Sequence, residues 1–81
     1  MMSHFYEFSK HYKAKDFRAC ANVTYDYLNQ VFSPDRNVSV DWLSDLHMIM
    51  EDLDTHMFRI EDAHTYHSLC EQILERLQKE P

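Results

Sequence analysis

The sequence contains no glycine. That one absence excludes several kinds of chemistry. A phosphate-binding loop needs glycines so that backbone N–H groups can approach the phosphates, and a dinucleotide-binding turn needs them for its tight first bend. A nucleophile elbow needs them at a strained strand-to-helix turn. Two-residue hairpins also lean on glycine, which argues against a β-rich fold. Proline is nearly as scarce: Pro34 and Pro81 are the only two, and between 35 and 80 nothing forces a helix to break. Cysteine is limited to Cys20 and Cys70. That is too few for a secreted disulfide scaffold, so a reducing cytoplasm is the expected setting. Uncharged apolar runs extend only a few residues, so no transmembrane helix is expected. The opening "MMSHFYEFSKHYK" offers no apolar core for a signal peptide.

What is present fits one small helical domain over residues 1–81. Hydrophobic residues make up 44% and aromatics 14% of the 81 residues, the composition of a folding chain rather than a disordered one. A chain of this length buries roughly 60–65% of its unfolded surface, so its core is thin. Phe5, Phe8 and Tyr12 recur at i, i+3, i+7, marking one face of a first helix (3–14). A second helix (16–32) carries Phe17, Cys20, Ala21, Thr24, Leu28 and Val31 at helical spacing, with Asp16 placed as its N-cap. "SPDRN" at 33–37 reads as a loop. Ser39 is then placed to cap a third helix (40–57), with Val38 and Leu43 as a hydrophobic staple. Leu43, Leu46, Met50, Leu53, Met57 and Ile60 form one seam, and Ala63, Tyr66, Cys70, Ile73 and Leu77 a second, on a fourth helix (62–79).

The step from Ile60 to Ala63 is three residues where the rhythm requires four. A continuous helix with a stammer would run from about 40 to 79 and reach about 60 Å. That is too long for a compact monomer of this size, and it would oblige the chain to dimerise. A turn near 58–62 is therefore expected, with Glu61 and Asp62 favourable at a new helix N-terminus. The predicted fold is all-α, a small bundle of four helices in two helical hairpins.

"YKAKDFRAC" at 12–20 resembles the stretch that joins the two helices of a tetratricopeptide repeat. Tyr12, Lys13, Asp16 and Phe17 are residue types common there, and Cys20 stands where that family has a small residue. "FRIED" at 58–62 echoes "YKAKD" more weakly. The turn lacks the family's glycine, Glu7 and Phe8 replace its leucine and small residue, and the run before Pro34 is longer. The resemblance implies a peptide-binding helical scaffold, of adaptor or chaperone type.

Charge divides the chain. Residues 1–40 hold four acids and five bases, net +1, and residues 41–81 hold ten acids and three bases, net −7, which sum to the overall −6. Direct nucleic-acid binding is not expected of such a chain, because neutralising phosphates needs a cationic face. Asp41, Asp45, Glu51, Asp52 and Asp54 instead propose an acidic face that docks on a basic surface of another protein. The plainer reading is a solvated helix face. Eight of the eleven aromatics lie in the first 32 residues. Tyr6 and Tyr25 fall off the apolar stripes, so partial exposure and a place in a protein interface are expected of both, with a homodimer the simplest form.

Four of the six histidines and six of the fourteen acids fall within residues 45–67. If the chain turns near residue 60 into an antiparallel hairpin, 56 faces 64 and 52 faces 68. Asp52, His56, His64 and His67 would then converge as a candidate zinc site. Glu61 and His64 also have the Glu-x-x-His spacing of helical di-iron sites, but the second such motif is missing. No carboxylate pair sits in a recognisably apolar setting, and both cysteines lie on core-facing stripes, where a thiol is an inert hydrophobe. The sequence reads as a non-enzymatic binding protein. A small acidic inhibitor, of phage, plasmid, immunity or antitoxin type, is favoured over a helical zinc protein.

Overall fold

A computed structural model describes residues 3–32 and 38–79 of the chain. It is the expected all-α bundle of four helices: α1 (His4–Lys13), α2 (Phe17–Val31), α3 (Trp42–Thr55) and α4 (Ala63–Lys79). The stretch read as a loop, 33–37, lies outside the described residues.

Both tight turns solve the same local problem without glycine. After α1, Lys15 adopts a left-handed backbone (φ 59°). The Asp16 N–H then donates to the His11 carbonyl at 2.9 Å and the Lys15 N–H to that of Tyr12 at 3.1 Å. After α3, Met57 does the same (φ 55°), with Phe58 N–H donating to Leu53 at 2.9 Å and Met57 N–H to Asp54 at 3.0 Å. Each is a Schellman ending, which satisfies the last carbonyls of a helix through one left-handed residue. The chain accepts the strain at Lys15 and Met57 because two reversed bonds and the packing beyond them hold it there.

Aspartates open the helices that follow. The Asp16 carboxylate accepts from the Ala19 N–H at 3.2 Å, as expected, and that of Asp62 accepts from the Thr65 N–H at 2.7 Å. These N-caps are the one position at which the echo between "YKAKD" and "FRIED" has a structural counterpart. At α3 the expectation fails. The helix starts at Trp42, not 40, and its N-cap Asp41 makes no side-chain cap bond. The Ser39 hydroxyl accepts from the Asp41 N–H at 3.2 Å instead, stabilising the turn that precedes the helix.

α2 is the helix on which the others assemble. Cys20, Ala21 and Thr24 are small and buried, so both α1 and α3 approach it closely. α4 meets this three-helix layer through larger side chains, and the molecule is correspondingly flat, 31 × 29 × 18 Å. The short dimension is about two helix diameters. The buried core joins Phe8, Leu28, Leu46, Met50, Tyr66, Leu69, Cys70, Ile73, Leu74 and Leu77, among others. Each large side chain buried there contributes roughly 1.5–3 kcal/mol.

The two predicted seams need correction at their ends. Met57 is 84% exposed, because the helix has ended and the left-handed residue turns its side chain outward. Ala63 is exposed, whereas Leu69 and Leu74, outside the predicted seam, are buried. The face of α4 is wider than a two-position seam because it packs on a layer of helices rather than on one partner. Val31, on the predicted stripe of α2, is 46% exposed near the helix end.

Candidate functional site

The turn near residue 60 exists, but α3 and α4 do not lie side by side beyond it. α3 packs along α2, while Tyr66 of α4 meets Phe8 of α1 (ring centroids 4.7 Å apart) and Tyr27 of α2 (5.2 Å). The proposed metal set is therefore not assembled. His67 faces α2: its Nδ1 is 2.6 Å from the Tyr27 hydroxyl, and its ring stacks on Phe32 at 5.3 Å. His56 curls back on its own helix, with Nδ1 2.9 Å from the Asp52 carbonyl and 3.4 Å from the Asp52 carboxylate. His64 is exposed in the first turn of α4. Among the described residues no three His, Cys, Asp or Glu side chains converge on a metal-sized point.

The acidic residues separate as well. At about 100° per residue, Asp52 projects within about 20° of Asp45, and Asp41 within about 40°. Glu51 is turned away from Asp45 by about 120°, and Asp54 points to the far side of the helix. Partners follow from those directions. Asp54 holds Lys15 of the α1–α2 turn at 2.7 Å. Glu51 contacts His47 one turn earlier at 3.1 Å. Asp45 and Asp52 remain on the outer face, and among the described residues neither is in an ion pair with a lysine or arginine. The expected five-residue acidic face is therefore a narrower strip. Asp54, and in part Glu51, serve the fold.

Between Asp45 and Asp52, Met48 projects into solvent, 66% exposed. This outer strip borders a cleft of about 440 Å³ between the splayed α3 and α4, lined by Asp45, Met48, Ile49, Asp52, Arg76 and Leu77. Charged side chains (Asp45, Asp52, Arg76) and apolar ones (Met48, Ile49, Leu77) line it together. The apolar part, Met48 and Ile49, was not singled out from the sequence. Its signal was available, since the two residues lie at i+3 and i+4 from Asp45, off the core seam.

Tyr6 is exposed and Tyr25 half-buried, as the stripes required, but on different helices: Tyr6 lines a groove of α1, and Tyr25 packs against the core from α2. Both cysteines are fully buried and free. Burial pushes each thiol up to about 12, far from the range of a nucleophilic thiolate. Among the described residues the buried side-chain polar atoms are paired: the Tyr66 hydroxyl meets the Thr24 hydroxyl at 3.0 Å, and burial raises the phenol well above its usual range. Among the described residues no helix is long and apolar enough to cross a membrane. No family model, curated protein or solved structure matches the chain, so the tetratricopeptide resemblance has no support beyond its own short stretch.

Proposed function

We propose that this protein is a binding module that docks on a basic surface of another protein through the outer face of α3, in the manner of a stoichiometric inhibitor. One observation supports this above the rest. Asp45 and Asp52 flank the protruding Met48 on one face, with no lysine or arginine ion-paired to them among the described residues. Carboxylates so placed steer a cationic partner. A methionine between them supplies adaptable apolar contact once the partner has arrived.

The test is capture of partners by tagged protein, comparing wild type with Asp45→Asn/Asp52→Asn and with Asp26→Asn/Glu71→Gln, which removes the same charge from exposed positions elsewhere. A stoichiometric partner held by wild type and by the control, weakened by salt, and lost by the α3 variant is the expected result. A partner retained by the α3 variant would show that docking occurs elsewhere.

A further inference from the structure

The α1 edge carries a surface of opposite character. Phe5, Tyr6 and Ile60 form the apolar lining of an open groove of about 870 Å³, with Lys10 and Lys13 along α1 and Glu61 on the opposite side. Tyr6 is 55% exposed. Lys13 is in no ion pair among the described residues, and Lys10 has only a 3.7 Å contact with Glu7. α1 and α3 both pack on α2, so this lysine-rimmed groove and the carboxylate-flanked ridge of α3 are two different surfaces of one molecule.

We infer that the α1 groove receives the α3 ridge of a second copy of this chain, so that copies associate head to tail. The match has two independent parts. Lys10 and Lys13 oppose the sign of Asp45 and Asp52, and Met48 is a protruding thioether that fits an aromatic-lined hollow, with sulfur against the Tyr6 ring. The net charge of −6 opposes self-association only over distances that salt screens, about 10 Å at 0.1 M. An interface of ordinary size buries about 800 Å² per partner, and the whole chain exposes 5588 Å², so one such contact takes roughly a seventh of the surface. Because the two surfaces differ, the contact is heterologous and leaves a free edge of each kind at the ends, so assembly can pass beyond a dimer.

This inference rests on the proposed docking role of α3, and it adds a consequence. Self-association and capture of a target use the same ridge, so each displaces the other.

Sedimentation equilibrium on purified protein over a range of concentrations tests the idea without any target. Two charge-reversed variants are compared with wild type, Lys10→Glu/Lys13→Glu and Asp45→Lys/Asp52→Lys, each checked for its helical circular dichroism. Wild type should gain mass with concentration, and each variant alone should weaken association by at least roughly tenfold. An equimolar mixture of the two should recover it, because every cross-contact then pairs opposite charges. Met48→Ala should weaken association without any change of charge, which covers a reversed variant that fails to fold. A wild type that stays monomeric up to high concentration overturns the inference and leaves target docking by α3 untouched. Association that survives both reversals, or that mixing fails to restore, overturns it too by placing the contact elsewhere.

Discussion

Removing one oxygen from Tyr66 isolates the buried polar link between α2 and α4. Tyr66 is 1% exposed and Thr24 is fully buried, and their hydroxyls are 3.0 Å apart. Tyr66→Phe keeps the ring, so the tilted contact with Phe8 at 4.7 Å and the contact with Tyr27 at 5.2 Å survive. It leaves the Thr24 hydroxyl buried without that partner, at a cost of roughly 1–3 kcal/mol. For a chain of this size that lowers the melting temperature by roughly 4–24 °C. Thr24→Val should cost a similar amount, because it leaves the buried Tyr66 hydroxyl without that partner. The double variant should be more stable than the sum of the two losses implies, by about 1 kcal/mol, since it removes both members of the pair. Urea denaturation of all four proteins reads this directly. Additive losses would refute the reasoning, and would mean that Thr24 turns to its own helix backbone and was never committed to Tyr66.

Two smaller changes test the turns. Met57→Gly should raise stability by roughly 0.5–1 kcal/mol, because a left-handed non-glycine residue costs about 1–2 kcal/mol and glycine returns part of that as lost entropy. Met57 is 84% exposed, so little packing is lost, and an unchanged urea midpoint would contradict the assignment. Asp62 is held below the usual carboxylate range chiefly by the Thr65 N–H, with the Thr65 side chain and His64 adding to it. Its folded pKa is lowered, so its contribution is present above the ordinary carboxylate value and lost as pH falls through the depressed one. Asp62→Asn keeps the cap but not the charge, and its melting temperature should decline less steeply below about pH 4 than that of wild type.

Much of the local structure was written in the residues themselves. The absence of glycine and near-absence of proline, with apolar residues every three or four positions, determine four helices. A three-residue step at Ile60–Ala63 announces the break between the last two, and Asp16 and Asp62 mark where helices restart. Core status is equally local for Phe8, Cys20, Leu28, Leu46 and Cys70, which lie in mid-stripe where any helical packing buries them.

The relative placement of the helices was decided only by tertiary structure. Periodicity gives the direction in which a side chain leaves its helix but not which neighbour waits there. Small residues on α2 draw α1 and α3 against it, while Tyr66 and the wide apolar face of α4 are satisfied by the layer rather than by α3 alone. That choice disperses the histidines: His67 goes to Tyr27, and His56 stays on its own helix. It also divides the acids, giving Asp54 to Lys15 and leaving Asp45 and Asp52 beside Met48 on the open edge. A run of seven acids against one base over residues 41–62 could never show which carboxylates face outward. Charge along a sequence carries no angle until the helix bearing it has chosen the face it buries.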